Sequence, residues 1–156
     1  MRGILPAFVL CALPLCGWAN ESDFLREGIE GCYATVGEDA TVTHDLMSES
    51  FGWEGDTDPE MGLGFLYPPA DSQVFITVAL DGSFCQVESA TIGSESAANR
   101  LRGELDRFGD EPEYGKDDMG CTRLDLGDGY AVTITSGGND PTCASDENSA
   151  LRFTYE

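Results

Sequence analysis

Two apolar runs joined by an Asp-Gly pair constrain the fold of this chain more than any other feature. From Val74 to Leu80 a valine, isoleucine or leucine occupies every second position, which is the period of a strand with one buried face. Asp81-Gly82 follows directly, and this dipeptide between alternating runs is a strong signal for a hairpin. The hairpin register places on one buried face Val74, Ile76, Val78, Cys85 and Val87.

The residues after Gly93 change to a helical period. Ser94 can cap a helix, and Gly109 supplies the glycine that commonly ends one. Gly103 within the helix costs up to about 1 kcal/mol relative to alanine. The buried stripe of this helix comprises Ala97, Leu101, Leu105 and Phe108. Strand, strand and helix together predict the centre of an α+β domain.

Further elements are predicted upstream. A first helix over about Asp23 to Thr35, with Ser22 at its capping position, presents a stripe of Leu25, Ile29, Cys32 and Val36. A short second helix spans Thr43 to Ser50. Gly64 to Tyr67 is predicted as a short edge strand that Pro68-Pro69 stops.

A second hairpin is predicted near the end of the chain, after an acidic surface loop over Asp110 to Asp118. A three-residue turn at Gly127-Asp128-Gly129 pairs Leu126 with Tyr130, Leu124 with Val132 and Thr122 with Ile134. A two-residue turn would instead place Leu126 opposite Ala131 and Leu124 opposite Thr133. Only the longer turn brings the apolar residues together, so we predict the longer turn with a bulge. A final strand is predicted from the alternation of Leu151, Phe153 and Tyr155.

The order of elements is therefore helix, short helix, edge strand, two strands, helix and three strands. It indicates a single α+β domain over residues 20–156, with an antiparallel sheet of about five strands and helices packed on one face. In element order alone the layout is similar to profilin and PAS-like folds. Similarity of fold implies no function.

The first 19 residues indicate an export signal. Arg2 precedes an apolar run from Ile4 to Leu15, and Gly17-Trp18-Ala19 places small residues at the positions that a signal peptidase recognises. We predict cleavage after Ala19 and an exported protein, periplasmic or secreted. The run is shorter than the ~20 residues of a membrane span, and the residues before Cys16 fit a lipoprotein anchor poorly.

The chain is strongly acidic, with 29 Asp and Glu against 8 Lys and Arg and a formal net charge of −21. Removal of Arg2 with the leader leaves 7 basic residues and a charge of −22. Such a surface repels nucleic acid and anionic lipid, which bind basic patches. A basic protein is the partner that this charge favours, and the alternative is an acidic surface that is simply solvated.

Four cysteines follow the leader, an even number that indicates two disulfides in an exported chain. Cys32 and Cys85 both face the predicted core, which favours a bond between the first helix and the sheet. Cys121 and Cys143 belong to the late hairpin and the loop after it, which favours a local second bond. A zinc site is the weaker alternative, because the mature chain has no Cys-x-x-Cys pair and His44 is the sole histidine.

Acidic residues at alternate positions form a candidate metal site, namely Glu54, Asp56, Asp58 and Glu60. Calcium prefers oxygen ligands of this kind. The segment lacks the glycine and the bidentate glutamate at the spacing that a calcium-binding loop requires. An acidic loop broken by proline is the alternative.

The sequence contains none of the common hydrolase or nucleotide-binding motifs. His44 and Asp45 are sequence neighbours, which is little support for a nucleophilic site. With 29 acids, some carboxylate pair will always suit glycoside cleavage, so this signal lacks specificity. Arg100 and Arg102 on the central helix are candidate ligands for a small anion, and ion pairs such as Arg102–Asp106 are the alternative.

These observations predict a small exported acidic protein to which no catalytic residue is assigned. A non-enzymatic binding or interaction module is the leading interpretation. The alternatives are a calcium-stabilised extracellular domain and, less favoured, a hydrolase with an acidic site. Calcium is the one cofactor that the sequence suggests.

Overall fold

The structure is a computed structural model that describes residues 20–138 and 141–156. The predicted leader lies outside the described residues, and its cleavage stays a prediction. Within the described ranges, no helix combines the length and the apolar character that crossing a membrane requires.

The described chain contains three helices, α1 (Glu21–Thr35), α2 (Ala40–Phe51) and α3 (Ser94–Phe108). Asn20 rather than Ser22 caps α1, because the Asn20 side chain accepts the backbone N–H of Asp23 and the Asp23 carboxylate accepts that of Asn20. α2 begins earlier than predicted, since the Asp39 carboxylate accepts the backbone N–H of Thr41 and so caps a longer helix.

In the described residues eight strands, rather than about five, form one antiparallel sheet in the order β1-β2-β3-β4-β8-β7-β6-β5. The general α+β class is as predicted, but the number of strands is wrong. The two edge strands show no alternating apolar pattern, because β1 is acidic and β5 is exposed along its whole length. The strands are β1 (Glu54–Asp58), β2 (Leu63–Tyr67), β3 (Val74–Ala79), β4 (Phe84–Ser89), β5 (Glu113–Lys116), β6 (Thr122–Gly127), β7 (Tyr130–Thr135) and β8 (Ser149–Tyr155).

The β3–β4 hairpin has the predicted register, with Val78 opposite Cys85. In the β6–β7 hairpin, Leu124 lies opposite Val132 as predicted. Near the turn, however, Gly127 rather than Leu126 lies opposite Tyr130, and the register shifts between Asp125 and Gly127. The extra residue is therefore a bulge within β6, and the turn itself is the two-residue Asp128-Gly129.

The helices pack on one face of the sheet and enclose the core. Gly28 of α1 lies so close to β4 that a Cβ at this position would be 2.5 Å from Val87 Cγ2. Gly31 approaches the side chain of Met47 in α2 in the same way, while α3 packs on β7 and β8. The largest fully buried side chains include Trp53, Phe153, Leu25, Ile29, Met47 and Leu66.

Two disulfides join the four cysteines of the described chain in the predicted pairs. Cys32 of α1 is bonded to Cys85 of β4, and both residues are fully buried. Cys121, directly before β6, is bonded to Cys143 in the loop before β8. The first bond crosses the helix–sheet interface and the second closes a local loop. Such bonds are compatible with export, because they persist in oxidising compartments.

Candidate functional site

The face of the sheet opposite the helices is open, and we call it the open face. Successive side chains of a strand point to opposite sides. Leu66, Val78 and Cys85 point into the core, so their neighbours along each strand point to the open face. None of the three helices of the described chain packs there.

Strands β2, β3 and β4 give the open face an apolar surface. Register places Tyr67 on this face within reach of Phe75, and the centroids of their rings lie 6.4 Å apart. Tyr67 is 49 % exposed, and the other members of the surface are half-buried. We define the aromatic patch as Leu63, Phe65, Tyr67, Phe75 and Phe84.

The edge strand β1 borders the aromatic patch with carboxylates. Glu54 lies opposite Tyr67, Asp56 opposite Phe65 and Asp58 opposite Leu63. Because each partner belongs to the patch, the three acids lie on the same face as the patch. We call Glu54, Asp56 and Asp58 the acidic edge.

The geometry of the acidic edge gives no support to a calcium site. Its carboxylates follow one another along an extended strand, where alternate residues are roughly 6–7 Å apart. The Asp58 side chain already accepts the backbone N–H groups of Glu60 and Met61. Across residues 20–138 and 141–156, no group of three or more His, Cys, Asp or Glu side chains is arranged to hold a metal ion.

The half of the open face formed by β4, β8, β7 and β6 is polar. It contains a cavity of about 400 Å³ with Gln86, Arg123 and Arg152 in its walls. The Arg152 guanidinium lies 4.0 Å from the centroid of the Phe84 ring, and Arg123 forms a 3.2 Å ion pair with Glu156. The two arginines of this half therefore each have a partner on the same face.

The candidate arginines of α3 do not meet at one site. Arg100 Nη2 donates to Ser22 Oγ and lines a groove of about 830 Å³ between α1 and α3. Arg102 donates to the Asn99 side chain and lines a separate cavity beside Tyr114. Neither forms an ion pair within the described part of the chain, and the expected contact of Arg102 with Asp106 is not formed.

His44 lies on the exposed side of α2. Its Nδ1 is 3.8 Å from the Asp45 carboxylate, and the imidazole side chain is 43 % exposed. No serine or cysteine in the described residues is hydrogen-bonded to it. The arrangement therefore gives no support to a nucleophilic site at His44.

Sequence reasoning missed the open face as a surface. The available signal was the pair Phe75 and Phe84, which occupy positions that the hairpin register turns away from the core. The patch grows beyond this pair only because β2 is hydrogen-bonded to β3 and adds Phe65 and Tyr67. That pairing joins segments that the sequence pattern does not connect.

No family model, no curated protein and no solved structure matches this chain.

Proposed function

We propose that the protein is an exported, non-enzymatic binding module that holds a basic protein partner against its open face. The observation that carries this proposal is the aromatic patch bordered by the acidic edge. Large contiguous apolar patches on the surface of soluble proteins mark interaction sites, whereas apolar residues exposed singly are normal. Aromatic side chains are also enriched at protein interfaces.

The charge of the open face favours a basic partner. Within residues 20–138 and 141–156, seven acids and two arginines lie on this face by register or by direct contact with it, namely Glu54, Asp56, Asp58, Glu88, Glu113, Asp125, Glu156, Arg123 and Arg152. The whole chain carries a net charge of −21. Complementary charge accelerates association and selects against partners of the same sign.

A cavity at the corner of this surface suits a basic side chain of the partner. It has a volume of about 420 Å³, and Glu54, Asp56, Tyr67 and Pro68 contribute to its walls. A lysine or arginine placed there would pair with the carboxylates and lie against the tyrosine ring. Apolar contact with the patch and ionic contact with the acidic edge would then act together.

Site-specific photocrosslinking in the exporting cell tests the proposal. A benzoylphenylalanine at Phe75 places the crosslinker in the aromatic patch, and the same residue at Arg102 places it on the exposed side of α3. We expect a discrete crosslinked protein of high isoelectric point at position 75 and not at position 102. Equal products at both positions, an acidic product, or none at position 75 would overturn the proposal.

A charge-matched pair of variants separates the acidic edge from the net charge. The variant Glu54→Gln/Asp56→Asn/Asp58→Asn removes three charges from the acidic edge. The control Asp45→Asn/Glu49→Gln/Asp106→Asn removes three charges from exposed positions on α2 and α3. The crosslinked product at position 75 should fall at least threefold in the first variant, since three exposed ion pairs at about 0.2–1 kcal/mol each contribute at least about 0.6 kcal/mol, and stay within twofold in the second.

A further inference from the structure

A further cavity, separate from the open face, lies where the end of α1 meets the β6–β7 hairpin. Its volume is about 360 Å³, within the range of sites that hold small molecules. Its walls come from the last turn of α1, the segment after α3 and the hairpin turn. The lining residues that matter here are Tyr33, Asp110, Asp128, Tyr130 and Phe153.

The charged residues that line this cavity are both acids. These are Asp110 and Asp128, and no lysine or arginine of the described chain lines the cavity. Asp110 is held in place, because Tyr33 Oη donates a 2.6 Å hydrogen bond to its Oδ2. The hydrogen bond to Asp110, with burial and the charge of Asp110, raises the pKa of Tyr33 to about 12. The phenol therefore stays protonated at neutral pH and keeps the carboxylate oriented.

Two tyrosine rings line the same cavity, and each is supported by a second ring. Tyr33 is stacked on Phe108, with centroids 4.3 Å apart and an interplanar angle of 19°. Tyr130 packs against Tyr155 at 4.7 Å. Aromatic faces attract cations through their quadrupole, and aromatic side chains bind organic cations such as quaternary ammonium groups.

We propose that this cavity binds an organic monocation of the alkylammonium class, between the rings of Tyr33 and Tyr130 and beside the carboxylates of Asp110 and Asp128. Aromatic walls with two carboxylates suit an organic cation that carries apolar groups beside its charge. A hard metal ion would require six or more oxygen ligands instead. The site goes beyond the proposed protein-binding function, because it shares neither the aromatic patch nor the acidic edge.

Isothermal titration calorimetry with three probes tests the class of ligand. The probes are choline, its uncharged carbon analogue 3,3-dimethylbutanol, and n-butylammonium as a mimic of the lysine side chain. We expect at least one of the two cations to bind at least tenfold more tightly than the alcohol. Equal affinity of the alcohol and both cations, or binding by none of the probes, would overturn the proposal.

The relative affinity of the two cations identifies the source of the ammonium group. Tighter binding of choline indicates a free quaternary amine. Tighter binding of n-butylammonium indicates a lysine side chain or a free primary amine, and titration with Nα-acetyl-lysine amide then separates these two. Each of these results supports the assignment of the cavity to an alkylammonium group.

Variants locate the binding to this cavity. Asp128→Asn removes a carboxylate and keeps a residue that tolerates the positive φ of 53° at this turn. It should weaken binding of the preferred cation about tenfold, whereas Asp106→Asn on α3, outside the cavity, should leave it within twofold. Tyr130→Leu should weaken binding at least threefold and Tyr130→Phe should not, because phenylalanine keeps the aromatic face. Equal effects of Asp128→Asn and Asp106→Asn would place the cation elsewhere and refute the assignment.

Discussion

The hydroxyl of Tyr33 donates a 2.6 Å hydrogen bond to the carboxylate of Asp110, 77 residues along the chain. The ring of Tyr33 is at the same time stacked on Phe108, the last residue of α3. The end of α1 is thereby fastened to the end of α3 by one polar and one aromatic contact. Neither contact involves the sheet, so these two contacts hold α1 and α3 together directly.

The first prediction is that this hydrogen bond makes the free energy of unfolding decrease at alkaline pH. The pKa of Tyr33 is raised from 10.0 to about 12 in the folded protein, first by the hydrogen bond to Asp110. A group whose pKa is raised by folding stabilises the fold fully below its unfolded pKa and loses that contribution as pH rises through the folded pKa. The free energy of unfolding should therefore decrease from about pH 10 towards pH 12.

Urea denaturation at pH 8 to 11.5 checks this expectation. The variant Tyr33→Phe should be less stable than the parent protein at pH 8, and the difference should shrink as pH rises. Tyr114→Phe is the matched control, because Tyr114 is 61 % exposed and should change little at any pH. Parallel curves for Tyr33→Phe and the parent protein would show that the phenol does not contribute as described.

The second prediction concerns the buried indole of Trp53. Its Nε1 donates a 2.9 Å hydrogen bond to the Glu27 carboxylate, and Trp53 is fully buried. Glu27→Ala leaves this donor without its acceptor, which costs about 1–3 kcal/mol of unfolding free energy. Glu27→Gln keeps an oxygen acceptor and should retain most of the stability. Urea denaturation measures both, and equal losses in the two variants would contradict the role of the hydrogen bond.

The elements that the sequence predicts well are those whose partners are near in sequence. The β3–β4 hairpin is predicted because a short turn fixes which side chains face each other, and α3 is predicted because its apolar stripe repeats over about three turns. The facing of Cys85 follows from the hairpin register, and that of Cys32 follows from the apolar stripe of α1. The pairing of distant strands could not be predicted, because the periodicity of a strand carries no information about which other strand lies beside it.

The edge strands and the candidate site show this limit. β1 consists of Glu-Gly-Asp-Thr-Asp, and nothing in those five residues favours a strand. They become one because β2 offers an unpaired edge to which they can hydrogen-bond. The sequence predicts a bulge at the three-residue turn Gly127-Asp128-Gly129, whereas the register shift lies within β6, between Asp125 and Gly127. The open face, finally, exists only once β1 and β2 have joined β3.

The third prediction compares two glycines that lie inside helices. A Cβ at Gly28 would be 2.5 Å from Val87 Cγ2 and 3.2 Å from Val87 Cβ, whereas a Cβ at Gly103 meets nothing within 4 Å. Gly28→Ala should therefore destabilise the protein by about 1–3 kcal/mol through overpacking. Gly103→Ala should stabilise it by about 0.5–1 kcal/mol, because alanine favours the helix. Thermal and urea denaturation of both variants should show effects of opposite sign, and a shared sign would contradict the helix–sheet contact at Gly28.

The fourth prediction ranks the two disulfides. Cys32–Cys85 closes a separation of 53 residues and Cys121–Cys143 one of 22. In the chain-entropy description these loops give about 4 and about 3 kcal/mol of stabilisation, respectively. Cys32 and Cys85 are also fully buried, so replacing both with alanine leaves space in the core and adds to the loss. Cys143, in contrast, is exposed.

Urea denaturation of the two double alanine variants measures this difference. Cys32→Ala/Cys85→Ala should be the less stable of the two by at least about 1 kcal/mol, since the entropic and packing effects have the same sign. Far-ultraviolet circular dichroism in the absence of urea should show that Cys121→Ala/Cys143→Ala keeps the secondary structure of the parent protein. If the order of stabilities were reversed, the attachment of α1 to the sheet would depend on packing at Gly28 and Ile29 rather than on the covalent bond.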